Sequence, residues 1–228
     1  MADSIQPRSR IVLGKRQWRV VIVAALCLAV TGVVLWPTTP PDLAVGKRLQ
    51  TSGVLAAWHK GDLIVLVRHE ERCDRSSNQC QGPEDGLTLP GSQSSAALGQ
   101  AFKALGMDNS DVLVSPTTRT AQTSRFMFGT TRLSTGTLAI CGHTMSEEIL
   151  TRKTAGRNLL LITHSACISD FERSLGYPHA DATEYGSSLF VEVTASGTLK
   201  ALGIMHARDW TSALKQLKRL EPLYRPPE

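Results

Sequence analysis

Residues 62–72 have the sequence DLIVLVRHEER, and this stretch decides the fold class. Its apolar run, residues 63–67, carries no charge, which is typical of a central strand that is buried on both faces. Polar residues begin where that strand ends. Because α/β sheets bind ligands at the carboxyl ends of their strands, we expect Arg68 and His69 to face a binding site.

The rest of the chain continues as an alternation of apolar strands and helices. Further strands are predicted over 111–115, 133–140 and 158–163, with a hairpin of strands over 189–193 and 198–204. The predicted helices have apolar residues at helical spacing and cover 43–59, 92–105, 117–128, 146–155, 166–175 and 208–220. This order predicts an α/β fold, a three-layer α/β/α sandwich with a largely parallel central sheet.

The N-terminus has the pattern of an exported protein. Residues 1–19 hold five basic residues and one acidic residue, and residues 20–36 hold no charge. An apolar run of this length barely spans a bilayer, and the positive-inside rule places the basic leader in the cytoplasm. A cleaved signal peptide is one alternative, and a buried core helix of a cytosolic protein is another. Residues 37–42 are then a linker, and residues 43–228 form one domain.

The charge distribution argues against nucleic-acid binding. The whole chain has 25 Lys and Arg residues against 20 Asp and Glu residues. After residue 36, with the leader's five basic residues and one acidic residue removed, the counts are 20 and 19. The basic isoelectric point therefore reflects the leader and not a broad basic surface.

The cysteines of the body are even in number, as expected of a protein in an oxidising compartment. Cys73 and Cys80 bracket a polar loop that is short enough to close with a disulfide, and Cys141 and Cys167 would then form a second pair. Four free thiols or a metal site are the alternatives. The sequence contains no CxxC or HExxH motif, which disfavours structural zinc.

Three strand ends are expected to meet at one edge of the sheet. The strand over 62–67 is followed by RHEER, the strand over 111–115 by a segment that contains an arginine, and the strand over 158–163 by a histidine. The side chains delivered there are two imidazoles and three guanidiniums: His69, His164, Arg68, Arg72 and Arg119. Imidazoles among guanidiniums, beside helix N-termini, predict a site for a dianion.

These motifs resemble the histidine phosphatase superfamily over about residues 60–205. The matching features are Arg68-His69 after a buried strand, Ser115-Pro116 followed by Arg119 and Gln122, and Thr163-His164 after a later strand. Within that superfamily, residues 65–80 (VLVRHEERCDRSSNQC) are similar to the bacterial lipopolysaccharide core heptose(II)-phosphate phosphatases, a family whose N-terminus is also basic and then apolar.

The resemblance implies an exported phosphomonoesterase with a phosphohistidine intermediate. His69 would be the nucleophile, Arg68, Arg72 and Arg119 would hold the phosphoryl oxygens, and His164 would donate a further hydrogen bond. No cofactor and no metal ion are implied. The expected partners are a phosphorylated small molecule or lipopolysaccharide, such as core heptose phosphate, and the inner membrane through residues 20–36, which places the protein in the periplasm.

Other functions remain open at this point. One alternative is a non-catalytic phosphate-binding envelope protein on the same fold. Another is a pyrophosphate or phosphohistidine hydrolase, whose leaving group needs no strong acid. Intact imidazoles at 69 and 164 favour the enzyme, because a binding protein needs no nucleophile.

The sequence leaves the general acid open. The acid phosphatase branch of the superfamily has an Asp directly after the second histidine, where this chain has Ser165. The remaining candidates are acidic residues near predicted strand ends: Glu71, Glu147, Glu148 and Glu184. Gln122 is predicted to share a helical face with Arg119 and to support it.

Overall fold

A computed structural model describes residues 14–34, 39–129, 141–142, 144–178 and 183–220, without the side chains of 27–34, 219 and 220. The chain divides into two compact units, Met1–Pro37 and Thr38–Glu228. The predicted strand over 133–140 lies outside the described residues.

The first unit contains helix α1 (Lys15–Val34). It begins five residues before the predicted start at residue 20, because Lys15, Arg16 and Arg19 have long unbranched stems that favour helix. Among the helices that the structure describes, none is both long and apolar enough to cross a membrane. The structure therefore does not support the predicted membrane-spanning segment over 20–36, and residues 35–36 lie outside its described part.

The second unit contains one sheet and helices on both of its faces. The strands are β1 (Leu63–Arg68), β2 (Ser110–Val114), β3 (Asn158–Thr163), β4 (Ser188–Val193) and β5 (Leu199–Met205). The helices are α2 (Arg48–Thr51), α3 (Val54–Lys60), α4 (Leu89–Leu105), α5 (Thr118–Phe128), α6 (Met145–Arg152), α7 (Ser165–Ser174) and α8 (Trp210–Leu220). Short 3-10 turns cover Cys73–Arg75 and Ala207–Asp209.

The sheet is mixed and not largely parallel as predicted. Its order is β2-β3-β1-β4-β5. β3 pairs in parallel with β1 and β2, whereas β4 pairs antiparallel with β1 and β5. β4 begins at the edge where β1 ends, since Ser188 lies opposite Val67. The chain therefore returns to the carboxyl edge of β1 before it enters β4, and the loop before β4 reaches the same edge as His69.

Apolar residues of β1 alternate between two cores, as a strand with helices on both faces requires. Leu63, Val65 and Val67 pack in the cluster that includes residues of α3, α4 and α8. Ile64 and Leu66 pack in the cluster that includes residues of α6 and α7. The arrangement is the predicted three-layer sandwich, although the sheet at its centre is mixed.

Three predicted helices differ from those observed by three residues or more, and one of them, predicted over 146–155, is α6 and ends at Arg152. The helix predicted over 43–59 is interrupted by Gly53, whose φ of 89° lies in the left-handed region, so α2 and α3 form instead. α4 begins three residues earlier than predicted, because the Thr88 hydroxyl accepts the Gly91 N–H at 3.0 Å and Pro90 suits the first turn.

The four cysteines of the body form the two predicted disulfides. Cys73 is bonded to Cys80, with the Cα atoms 5.4 Å apart, and Cys141 is bonded to Cys167, with the Cα atoms 4.5 Å apart. The first disulfide closes the loop that follows β1. The second joins Cys141, four residues before the start of α6, to Cys167 in the first turn of α7.

Candidate active site

The two histidines meet where β1 and β3 end side by side. Arg68 lies opposite Thr163 in the parallel register, and the backbone N–H of His69 donates to the Thr163 carbonyl at 2.9 Å. Each histidine therefore leaves the sheet at the same level. The ring centroids of His69 and His164 are 5.3 Å apart, with the rings edge to face.

Hydrogen bonds at both ring nitrogens fix the tautomer of His69. Nδ1 lies 2.8 Å from the backbone carbonyl oxygen of Glu70, which accepts only, so Nδ1 carries the proton. The Nε–H of Arg119 donates to Nε2 at 3.2 Å, so Nε2 presents its lone pair. The ring is 4% exposed and is held in this orientation by its neighbours.

Burial keeps both imidazoles neutral near pH 7. Burial lowers the pKa of His69 to about 3, with the charges of neighbouring groups acting in the same direction and the hydrogen bond to Glu70 opposing them. Burial also lowers the pKa of His164 to about 4, and nearby guanidiniums add to the effect. An unprotonated Nε2 is the form that a nucleophilic imidazole needs.

Arg119 and Arg68 line the same point from two sides. Arg119 projects from the first turn of α5, and its Nη2 lies 3.5 Å from Nδ1 of His164. The guanidinium of Arg68 stacks on the Tyr185 ring at 3.9 Å and donates to the Thr183 carbonyl. Burial lowers the pKa of both arginines, and each keeps its full charge at neutral pH.

The third predicted arginine, Arg72, contributes charge to the site but binds another partner. Its guanidinium forms a two-pronged ion pair with Asp74, close to the surface. Its charge nevertheless contributes to the lowered pKa of His164 and Arg119. Three of the five predicted residues, His69, His164 and Arg119, therefore converge through direct contacts. Arg68 is linked to them through Tyr185 and by its charge, and Arg72 by its charge alone.

No protein-family model matches the chain. The chain is 36% identical over 123 residues to the lipopolysaccharide core heptose(II)-phosphate phosphatase of Escherichia coli O157:H7, covering 53% of this chain and 60% of the relative. It is 32% identical over 164 residues to the protein of the same name from Salmonella paratyphi B (strain ATCC BAA-1250 / SPB7), covering 70% of this chain and 79% of the relative.

The chain belongs to the family of lipopolysaccharide core heptose(II)-phosphate phosphatases. This confirms the resemblance found in residues 65–80. The match to the Escherichia coli relatives spans 60% of their length.

Solved structures agree with this family at the level of the fold. The structure of the protein histidine phosphatase SixA complexed with tungstate superposes with a TM-score of 0.51 at 16% identity, covering 64% of this chain and 98% of that chain. Phosphoglycerate mutase from Bacillus anthracis str. Sterne gives a TM-score of 0.51 at 12% identity, covering 67% and 97%. The body of this family member therefore has the histidine phosphatase fold.

Tyr185 is a site residue that the sequence did not predict. Its ring centroid lies 5.8 Å from that of His69, on the side where Arg68 stacks on it. It belongs to the loop before β4, which reaches this edge because β4 runs antiparallel to β1. Only the direction of β4 could have pointed to it, and the sequence did not reveal that direction.

Three of the four carboxylates considered as general acids bind other partners. Glu71 accepts hydrogen bonds from the side chains of Ser76, Asn78 and Thr88, and these bonds lower its pKa. A carboxylate held by three donors is ionised and orders the loop after β1.

The other three candidates lie on α6 and on the loop before β4. Glu184 pairs with Arg208, and that hydrogen bond lowers its pKa. Glu148 pairs with Arg152 at 3.1 Å, and Glu147 is exposed on the same helix. Glu71 and Glu184 are therefore held in the ionised form, which cannot donate a proton.

Glu70 is a second residue that the sequence did not single out. It follows His69 directly and is 3% exposed, and burial raises its pKa to about 7. Its Oε1 has no hydrogen-bond partner within the described residues. It lies against Gly186, and a side chain at position 186 would clash with it. The run of charges at 68–72 gives no sign of which carboxylate is buried.

Gln122 does not support Arg119 as predicted. Its Oε1 instead accepts the backbone N–H of Leu87 at 2.6 Å. This bond ties α5 to the loop that precedes α4, and so links two of the segments around the site.

Proposed function

We propose that the protein is a phosphatase that removes phosphate from a cell-envelope saccharide, such as the heptose of the lipopolysaccharide core, through a phosphohistidine at His69. The observation that carries this proposal is the lone pair on Nε2 of His69, which faces Arg119 at 3.2 Å beside a second neutral imidazole. A site that only binds phosphate has no need of a buried, unprotonated imidazole at its centre.

In the first step, Nε2 of His69 attacks phosphorus as the bond from phosphorus to the sugar oxygen breaks. The phosphoryl group becomes bonded to Nε2, and the sugar oxygen leaves with a proton taken from a solvent water, which becomes hydroxide. Arg119 and Arg68 neutralise the charge on the equatorial oxygens, and His164 donates to the same oxygens. When phosphate enters, the N–H groups of Arg119 turn from the imidazoles to the phosphate oxygens.

In the second step, a water oxygen attacks phosphorus, the bond from phosphorus to Nε2 breaks, and the water's proton passes to the hydroxide left by the first step. Phosphate leaves, and the neutral imidazole is restored. Arg72 joins the phosphate in both steps when it exchanges Asp74 for the ligand. Because their pair is solvent-exposed, that exchange is energetically small.

The substrate class is supported by the family, whose members are named for the heptose(II) phosphate of the lipopolysaccharide core. We further propose that the protein works in the periplasm. The basic leader followed by an apolar run favours export, and two disulfides in the body suit an oxidising compartment.

The experiment that tests the activity uses the full chain with an activated aryl phosphate in excess chelator. We expect turnover under these conditions, and an alkali-stable, acid-labile phosphoryl adduct on His69 after rapid quenching. His69→Ala should abolish both, whereas His59→Ala, which changes an exposed histidine on α3, should change neither. A His69→Ala variant that keeps more than about a tenth of the rate would rule out the phosphohistidine route.

The substrate is tested separately, with phosphate release from lipopolysaccharide core oligosaccharide, simple sugar phosphates and nucleotides. We expect kcat/KM to be highest for the core oligosaccharide. Equal values across the panel would contradict an envelope saccharide as the substrate and leave the phosphatase chemistry standing.

A further inference from the structure

A groove of about 700 Å³ lies between α4 and α8, beside the proposed phosphate site. Tyr185 and Glu70 line its near end, and the same Tyr185 packs on Arg68 and faces His69. The groove therefore opens from the wall of the active site.

The groove runs along the two helices and away from the site. α4 begins after Thr88, which bonds to Glu71 beside the nucleophile, and α8 begins shortly after β5 ends at the same edge. On α4 the lining extends from Ser94 to Ala104, which corresponds to about 15 Å of helix. That length accommodates more than one sugar ring.

The lining has the chemistry of a saccharide site. Ala97, Ala101 and Ala104 give one wall a shallow apolar surface, on which the C–H faces of a sugar ring pack. Trp210 and Glu70 line the groove, are each 3% exposed, and have polar atoms without partners among the described residues, namely Nε1 and Oε1. Nε1 is a donor and Oε1 an acceptor, which are the two kinds of group with which sugar hydroxyls form hydrogen bonds.

The charge of the groove specifies an anionic saccharide. Lys215 and Lys218 are exposed, lie three residues apart and line the groove on the same helix. The third cation of the lining, Arg208, already pairs with Glu184. Among the described residues neither lysine forms an ion pair, so both ammonium groups are offered to a ligand on the rim of a groove that begins at the reaction site.

We propose that this groove is a second saccharide subsite, which binds an anionic sugar residue adjoining the sugar whose phosphate is removed. The inference rests on the proposed function and deepens it, because it makes the preferred substrate an oligosaccharide with a second phosphate. A simple sugar monophosphate fills only the phosphate site.

The test compares three substrates on the full chain: an aryl phosphate, a disaccharide with one phosphate, and the same disaccharide with a second phosphate on the adjoining sugar. We expect the double variant Lys215→Ala/Lys218→Ala to raise KM for the bisphosphate at least about fivefold, as for two partly exposed ion pairs. Its kinetics on the aryl phosphate should equal those of the wild type. Lys103→Ala, an exposed lysine of α4 outside the groove, is the matched control.

Binding without turnover separates this inference from the proposed function. In calorimetry with the His69→Ala variant, the bisphosphate should bind more tightly than the monophosphate, and Lys215→Ala/Lys218→Ala should remove the difference. Equal affinities, or a loss that Lys103→Ala reproduces, would overturn the subsite. If the wild type turned over none of the three substrates, the proposed activity would fall while the calorimetric result still decided the subsite.

Discussion

Arg119 is the side chain that contacts both imidazoles, at 3.2 Å from Nε2 of His69 and 3.5 Å from Nδ1 of His164. Its planar guanidinium offers several N–H donors in fixed directions, which an ammonium group does not. We therefore expect Arg119→Lys to lower kcat on an aryl phosphate at least about tenfold, or roughly 1.4 kcal/mol of transition-state stabilisation.

The matched control is Arg125→Lys, an exposed residue in the last turn of the same helix. It should leave kcat and inhibition by inorganic phosphate unchanged. If Arg119→Lys behaved like this control, Arg119 would be a solvated helix charge and not part of the phosphate site.

Glu70 should make stability depend on pH in the direction opposite to an ordinary carboxylate. Burial raises its pKa from 4.5 to about 7, so the folded protein holds this proton more tightly than the unfolded chain does. The stability that this proton provides is complete below about pH 4.5 and is lost as the pH rises through 7. Arg68 and Glu71 are the charged groups that act on it.

Glu70→Gln keeps the shape of the side chain and removes its titration. In urea titrations, the free energy of unfolding of the variant should therefore rise by about 2 kcal/mol relative to that of wild type between pH 5 and pH 8. Glu71→Gln is the opposing control, because hydrogen bonds lower the pKa of Glu71 and its charge stabilises the fold at high pH. Parallel pH curves for wild type and Glu70→Gln would mean that Glu70 is not held protonated.

The residues that the sequence could identify are those fixed by strand ends. Arg68, His69 and His164 follow long apolar runs, so their common edge could be predicted before their contacts were known. Tyr185 and Glu70 could not be identified in this way. Their roles depend on the direction of β4 and on which member of a charged run is buried, and both are long-range properties.

At the scale of elements, α4 packs against the backbone of α5 at Gly99. A Cβ there would lie 2.6 Å from Cα of Met127, which is backbone and cannot rotate away. Helix propensity alone favours alanine over glycine by about 1 kcal/mol. Overpacking against backbone costs about 1–3 kcal/mol, and we expect this cost to exceed the gain in propensity. We expect Gly99→Ala to lower the free energy of unfolding by about 1–2 kcal/mol in a urea titration.

The comparison is Gln93→Ala, at an exposed position of the same helix. Its free energy of unfolding should stay within about 0.5 kcal/mol of that of wild type. A stabilised Gly99→Ala variant would show that the two helices move apart at little cost. The readout is the urea midpoint, with the m-value as a check that unfolding remains two-state.

Local patterns predicted most elements, and longer-range effects account for the differences. β1 and β3 were predicted to within one residue, because apolar runs of five or six residues leave little choice of strand boundary. The helix predicted over 43–59 did not account for the break at Gly53, whose backbone lies in the left-handed region. The antiparallel half of the sheet depends on the path of the chain after α7, which periodicity does not encode.

At the scale of the whole molecule, one disulfide should contribute mainly to stability and the other mainly to activity. Cys141 and Cys167 are 26 residues apart in sequence, and Cys73 and Cys80 are 7 apart. The entropy of loop closure predicts that serine replacement of Cys141 and Cys167 costs about 3 kcal/mol of stability. Serine replacement of Cys73 and Cys80 should cost about 2 kcal/mol. Loss of Cys73–Cys80 should instead act more on kcat, because Arg72 directly precedes Cys73 and its partner Asp74 lies in the closed loop.

Peptide mapping of unreduced protein should find these two pairs, with the same sample reduced before alkylation as the reference. Urea titrations and aryl phosphate kinetics on Cys141→Ser/Cys167→Ser and Cys73→Ser/Cys80→Ser then separate the two roles. A cross-link between Cys73 and Cys141, or equal kinetic effects of both replacements, would contradict this division.

The antiparallel hairpin of β4 and β5 also has a practical consequence for handling the protein. Its turn, residues 195–197, is exposed and lies at the opposite end of β4 from the loop that carries Tyr185. Six residues of strand separate the two ends by about 20 Å. A fluorophore or a surface tether attached at this turn would leave the catalytic edge facing the solution, which suits immobilised assays with bulky glycolipid micelles.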